Sequence, residues 1–352
     1  MKPGRWPRRW QASPGLPGLV AALAGAVLAV CACGAGGFDP ISKVDSVRLF
    51  AARADKPYAR PGDTVNLEVL AFDGRPVQTP AMQHYFIPFT CVNPQNDAYY
   101  ACFLPSSADA GAPDAAAAGG AGRFLELLQD GQDITPLLVR GTRHSFKVPE
   151  DAVISRTDTD ERYGLTIVFT VACAGRVVFR RPSLQTRQQV PLACVDADGI
   201  QVSAKDYVLG IMRVYVYDTK KNENPGILGL VFDGKPVDPS VGIQIDRCSL
   251  TKRSDCPQPR LDTEVPADSW EIQTGVTSSD GKEQREQIWV DYYTTLGEIE
   301  PVRLLYDVTS GRVSESGAKF TASAESGHGV LFAVVHDNRG GVAWTRVPLL
   351  VR

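Results

Sequence analysis

The stretch "YGLTIVFTVA", Tyr163 to Ala172, reads as a single β-strand. Leu165, Ile167, Phe169 and Val171 fall on one face and Thr166 and Thr170 on the other, which is the alternation a pleated strand imposes. β-Branched and aromatic residues fill it, and they suit an extended, half-buried surface better than a helix. "TVNLEVLAF" (Thr64 to Phe72) and "GHGVLFAVV" (Gly327 to Val335) have the same character. The chain's 25 Pro and 32 Gly supply the many turns that such strands need. "RFLELLQD", Arg123 to Asp130, offers two turns of helix and no more. The expectation is an all-β protein.

The pattern repeats along the chain. "AFDGRPV", Ala71 to Val77, returns as "VFDGKPV", Val231 to Val237. Each copy is followed by a pair of cysteines, Cys91 with Cys102 and Cys248 with Cys256. Phe169 and Val171 align with Phe332 and Val334, which sets His336 opposite Cys173. "VPLA" (Val190 to Ala193) aligns with "VPLL" (Val347 to Leu350). Taken at the first cysteine of each pair, the four similarities keep their order at separations of 157 to 163 residues and predict a tandem duplication. On this reading Phe72 and Phe232 face inward, Asp-Gly turns the chain, and Pro ends the pairing.

"ADKPYARPGDTVNLEVLAFD", Ala54 to Asp73, resembles the entry into bacterial immunoglobulin-like domains, where a "PGDTV" turn leads into the second strand. The resemblance implies two tandem immunoglobulin-like β-sandwiches, with a jelly roll or fibronectin-like variant as the rival. The boundaries that follow are 44–195 and 207–352, joined by a polar linker at 196–206. An insertion near 105–122, nearly all Ala, Gly, Asp, Ser and Pro, lacks the apolar area to offset its ordering entropy and is expected to be disordered.

The beginning of the chain reads as an export signal. Lys2, Arg5, Arg8 and Arg9 precede an uncharged run from Leu16 to Cys33. A spanning helix needs about 20 strongly apolar residues, and this run is shorter and weaker. "VCAC", Val30 to Cys33, resembles a bacterial lipoprotein lipobox, and "LAVC", ending at Cys31, fits less well. The resemblance implies a signal peptide at 1–32, a lipidated Cys33, a tether at 33–43 and, with Gly34 next, the outer membrane. Two or three acyl chains anchor stably where one is marginal. Without the signal's four basic residues the chain keeps 33 basic and 40 acidic ones, a net charge of −7. No basic stripe offers itself to a phosphate backbone, so nucleic acid is not an expected partner.

Six cysteines follow Cys33, and an even number in an exported chain suggests disulfides. Fifteen pairings are open, and spacing suggests Cys91–Cys102, Cys173–Cys194 and Cys248–Cys256. Zinc would want CxxC-type spacings or nearby His partners. Catalytic signals are sparse: four histidines (His84, His144, His328, His336) and no HExxH, GxSxG or Walker loop. "SLTK", Ser249 to Lys252, matches SxxK but lies in a small cysteine loop, whereas that nucleophile opens a buried helix. His328 and His336 lack a third metal ligand. "DADG" (Asp196 to Gly199) and "DTDE" (Asp158 to Glu161) space carboxylates as calcium loops do, and solvated turns explain them equally well. Tyr99 and Tyr100, inside the Cys91–Cys102 loop, form the candidate partner contact. Tyr292 and Tyr293 invite the same reading, with burial in the core as its competitor. The expected protein is a non-catalytic, lipid-anchored envelope module without cofactor or metal, binding a protein or glycan or serving as structure. A surface adhesin and an unrecognised hydrolase are the alternatives.

Overall fold

The computed structural model describes residues 40–103, 127–156, 161–181, 190–250, 252–277, 281 and 283–352. The first half of the chain contributes β1 (Val47–Ala54), β2 (Tyr58–Ala59), β3 (Thr64–Asp73), β4 (Gln83–Val92), β5 (Val139–Arg140), β6 (Arg143–Lys147) and β7 (Ile154–Ser155). It continues with β8 (Arg162–Cys173), β9 (Arg176–Phe179), β10 (Leu192–Val195) and β11 (Tyr207–Val216). The second half contributes β12 (Gly229–Phe232), β13 (Lys235–Pro236), β14 (Ile243–Ile245), β15 (Arg260–Glu264), β16 (Ile272–Thr277), β17 (Glu283–Arg285) and β18 (Ile288–Thr294). Then come β19 (Glu298–Ile299), β20 (Val302–Asp307), β21 (Gly311–Arg312), β22 (Ala318–Thr321), β23 (Gly327–Asp337) and β24 (Val342–Val351).

The fold is an all-β sandwich arrangement, and both halves use one strand order. A sheet β1-β3-β6 faces a sheet β2-β11-β8-β4-β5 in the first. In the second, β12-β15-β22 lies within one sheet and β14-β24-β23-β18-β20 within the other. In each half a short strand runs parallel to the last strand, β2 to β11 and β14 to β24. The first half adds a β9–β10 hairpin and the second a β16–β17 hairpin.

The boundary between the halves is not where the sequence placed it. Tyr207–Val216, expected to open the second sandwich, hydrogen-bonds along its whole length to β8 and closes the first. Residues 196–206 therefore lie inside the first half, and the connection between halves is residues 217–228. β8 decides this, because it is buried on both faces and needs a partner on each edge; β4 and β11 supply them.

The two copies of the FDG motif are not equivalent positions. "FDGRPV" ends β3, the third strand of its half, while "FDGKPV" ends β12, the first strand of the other. Asp233 and Gly234, with φ of +50° and +74°, form the two-residue turn of the β12–β13 hairpin. After β3 the chain is instead held by Arg75, which donates to Asp73 (2.8 and 2.7 Å), Asp206 (2.9 Å) and the Pro80 carbonyl (2.8 Å). The cysteine pairs differ likewise: Cys91 lies on β4, and Cys248 lies between β14 and β15. "VPLA" belongs to the first half's extra hairpin, whereas "VPLL" belongs to β24, whose counterpart is β11.

Four main apolar clusters fill Ile41–Arg352, which is a single compact unit. Val65, Leu67, Phe86, Val168 and Val214 pack between the first half's sheets. Leu261, Tyr292, Phe320, Leu331 and Val335 do so in the second. A third cluster covers the far face of β8, with Ile134, Phe103, Phe179 and four cysteines over Leu165, Ile167, Phe169 and Val171. A fourth joins the halves, pressing Phe50, Ala51, Leu70 and Phe72 against Phe332, Val334 and Trp344. Phe72 thus faces the junction and Phe232 its own core. Phe50 lies 4.5 Å from Tyr293 and 4.7 Å from Phe332, centroid to centroid.

Candidate functional site

Polar groups continue the junction where the apolar cluster stops. The turn between β23 and β24 is shaped by Asp337, whose buried carboxylate accepts the N–H groups of Arg339 (2.7 Å) and Gly341 (2.8 Å). That turn aims Arg339 at three elements. Its guanidinium donates to Glu286 (2.5 Å), to Glu271 (2.5 Å) and to the carbonyl of Lys221 in the connecting segment (3.1 Å). Asn222 donates to Asp337 (3.2 Å), and Asn224 donates to the carbonyl of Ala54 (2.7 Å) while accepting from the N–H of Val342 (2.9 Å). Asn224 so bridges β1 and β24.

Two carboxylates, Glu286 and Glu271, share the Arg339 guanidinium here, and the buried Asp337 lies close by. Burial, then the neighbouring charge of Asp337, pushes Glu286 up to about 7 despite Arg339. Burial also raises Glu271. Burial would lower Arg339, but the carboxylates of Glu286 and Glu271 hold it above its ordinary value. The cluster ties the connecting segment to the second half, and Arg339 reaches the first half through the ring of Tyr58.

Beside this cluster runs a cleft of ≈ 480 Å³ whose walls are tyrosines. Tyr215 on β11 and Tyr217, one residue past its end, lie two apart on extended chain and so share a face. Their ring planes are 20° apart, with centroids separated by 6.4 Å. Tyr163 of β8 stands 5.8 Å from Tyr215, and Tyr58 of β2 stands 4.7 Å from Tyr217. Three of the rings carry an intramolecular cation: Arg156 at 4.2 Å from Tyr163, Lys220 at 5.0 Å from Tyr217 and Arg339 at 5.7 Å from Tyr58. The Tyr163 hydroxyl donates to Asp97 (2.5 Å), which also pairs with Arg156 (2.9 Å). Lys220 is paired with Glu161. Burial holds the Tyr58 phenol up at about 12 and raises that of Tyr217 also, so both remain O–H donors at neutral pH. A second depression shares Tyr58 and is lined by Asp55 and Asn224, and a third shares those two residues and is lined by Arg53 and Arg143.

This cleft is not legible as a unit in the sequence. Tyr58 and Tyr217 are 159 residues apart and meet only because β2 pairs with β11. The one local signal was "RVYVYD", Arg213 to Asp218, an aromatic alternation on a single strand face.

The residues singled out from sequence lie elsewhere. The three local disulfides are present, Cys91–Cys102, Cys173–Cys194 and Cys248–Cys256, with Cα separations of 5.7, 5.8 and 5.8 Å. They fit an oxidising compartment. Tyr99 and Tyr100 sit on a 3₁₀ turn (Tyr99–Phe103) braced by the first of these. Tyr100 is exposed, while Tyr99 packs against the layer covering β8. Tyr292 is core, its hydroxyl 2.7 Å from that of Thr263, and Tyr293 belongs to the junction. Cys33, residues 105–122 and Asp158 to Asp160 lie outside the described residues.

The histidines are scattered. His84 is buried, with Nδ1 2.7 Å from the Gly141 carbonyl and Nε2 2.6 Å from the Thr170 hydroxyl, and burial lowers its pKa. His144 stacks on Phe86, His328 is exposed, and His336 stacks on Trp289 beside Asp291 (3.2 Å). Lys252 of "SLTK" points into solvent, 3.9 Å from Asp255. Asp196 of "DADG" spends one oxygen on the N–H groups of Asp198 and Ile200, both at 2.9 Å. Among the described residues no group of three or more His, Cys, Asp or Glu is placed to hold a metal ion, and no helix is long and apolar enough to cross a membrane.

Neither a family model nor a curated protein matches the chain. Among solved structures, the dimeric latent PorU of Porphyromonas gingivalis aligns at 11% identity over 88% of this chain, with a TM-score of 0.19. The chain spans 24% of that one. The three N-terminal domains of the highly immunogenic outer capsid protein (Hoc) of bacteriophage RB49 align at 8% identity over 87% of this chain and 99% of that one, with a TM-score of 0.17. At these TM-scores neither likeness bears on what the chain does.

Proposed function

We propose that the chain is a non-catalytic binding module of a bacterial envelope, exported and lipid-anchored through Cys33, with two immunoglobulin-like halves presenting a ligand groove at their junction. The carrying observation is the tyrosine cleft, set beside a junction locked by Arg339, Asn222 and Asn224. Aromatic walls fixed in place before a ligand arrives lower the ordering cost of binding. The shared strand order, three strands against five, supports the immunoglobulin-like assignment. The three disulfides support export.

The test is photo-crosslinking in the native envelope, with a photoreactive residue replacing Tyr215 and a control at exposed Leu228. Adducts formed from position 215 and not from 228 are expected; equal adducts, or none from 215, would sink the groove as the ligand site. Labelled fatty acid should enter the wild type and not Cys33→Ser. Labelling of both moves the anchor elsewhere.

A further inference from the structure

The walls of the cleft are aromatic and polar. Its lining holds four tyrosines, Arg213, Arg339, Glu161 and Asn338, and no Leu, Ile, Val, Met or Phe. A peptide could not add here as a strand, because at Tyr215 and Val216 both edges of β11 are already hydrogen-bonded, to β8 and to β2. An apolar side chain would find no pocket of its own.

What the cleft offers is ring faces alternating with hydroxyls. The hydroxyls of Tyr58, Tyr215 and Tyr217 have no hydrogen-bond partner among the described residues, and none of the three oxygens is enclosed. A sugar ring presents the complementary surface, with patches of slightly positive C–H groups that pack on negative aromatic faces and hydroxyls at its rim. Two further depressions, the first sharing Tyr58 with the cleft and the second sharing Asn224 with the first, give a chain of sugars leaving it a polar surface to follow.

Charge narrows the class further. Around the tyrosines, Arg156 is matched by Asp97, Lys220 by Glu161, and Arg339 by Glu271 and Glu286. Arg213 is exposed on the same strand face as Tyr215 and has no ion pair among the described residues. With those charges matched, Arg213 is the cation left over in the cleft, and it would meet a carboxylate on the ligand.

We propose that the cleft binds a linear glycan bearing an acidic sugar, stacked on the half-buried ring of Tyr215 and paired with Arg213. The proposal rests on the binding-module reading. It is tested by titrating the purified chain with oligogalacturonate, hyaluronan oligosaccharide and sialyllactose, against neutral maltohexaose and cellohexaose.

At least one acidic probe is expected to bind, at least about tenfold more tightly than the neutral ones and more weakly as salt rises. Tyr215→Ala should weaken that binding about tenfold, and Arg213→Gln should remove most of its salt dependence. Arg213 is exposed, so this variant keeps the fold intact whatever happens to Tyr215→Ala. Equal binding of neutral probes, no binding of any acidic probe, or an Arg213→Gln variant that binds as the wild type does would overturn the glycan. If position 215 crosslinks only to protein, the binding module stands and the glycan falls. If crosslinks and glycan binding are both absent, both fall.

Discussion

β8 and β23 are the same strand of two like sandwiches, and each turns an apolar row away from its own core. Over Leu165, Ile167, Phe169 and Val171, the first half lays its own insertions, with two disulfides inside that layer. Over Phe332 and Val334, the second half lays the first half itself, through Phe50, Leu70 and Phe72. An apolar sheet face has to be covered, and the two halves solve this in different ways. The junction is therefore a core element, and the tyrosine cleft beside it is set against packed structure.

The largest test of that contrast is a pair of truncations. Phe169→Ala and Phe332→Ala each delete a fully buried ring and should each cost about 3–5 kcal/mol, read from denaturant or thermal unfolding. Only Phe332→Ala should also loosen the junction, so that limited proteolysis cuts residues 217–228. Cleavage there at the same rate in both variants would mean that Phe332 does not hold the halves together.

The polar part of the junction predicts a pH effect. Glu286 faces Arg339, Glu271 and Asp337, with Tyr58 beyond. Its folded value is raised to about 7 from 4.5. Between those two values the unfolded chain has released a proton that the folded chain keeps, so stability falls as pH rises through this window and levels off above it. The total is on the order of 3 kcal/mol. Glu286→Gln should flatten the stability profile between pH 4.5 and 7, leaving the smaller slope that the raised Glu271 contributes. An unchanged profile would place the titrating group elsewhere.

The disulfides separate a covering layer from an outlying loop. Replacing Cys173 and Cys194 together with Ser should cost about 3 kcal/mol, and replacing Cys248 and Cys256 about 2, from loops of 21 and 8 residues and from the first pair's place over β8. Equal losses would show that the layer does not need its crosslink.

Strands and local disulfides were legible because both are written in short range: alternation over ten residues, or a cysteine 8 to 21 positions from its partner. The alignment of Phe169 with Phe332 was legible because β8 and β23 carry the densest apolar pattern, and both rings do face the outer cover. Strand membership was not. Tyr207–Val216 looks like the start of something new after a polar stretch, and only hydrogen bonds to β8 assign it backward. The tyrosine cleft was hidden for the same reason, since a parallel pairing of two residues, Tyr58 and Ala59, brings its far wall into place. The exposed Tyr100 was visible in sequence because a cysteine loop advertises it, yet its neighbour Tyr99 packs inward.

The FDG motif shows how far identical letters can mislead, and two glycines make this measurable. Gly234 has φ of +74° with open space around it, so alanine there meets no atom and suffers only the left-handed backbone. The expected cost is about 1 kcal/mol. Gly74 has no such conformation, but an added Cβ would lie 2.7 Å from Val44 Cγ1 and 2.9 Å from its carbonyl oxygen, against the segment that leads into β1. Gly74→Ala should cost about 1–2 kcal/mol by overpacking. Asparagine separates the causes: it tolerates positive φ, so Gly234→Asn should recover most of the alanine loss, while Gly74→Asn should lose more than alanine does. If both sites respond to asparagine in the same direction, the two motifs share a conformation after all, and the different fates assigned to them are wrong.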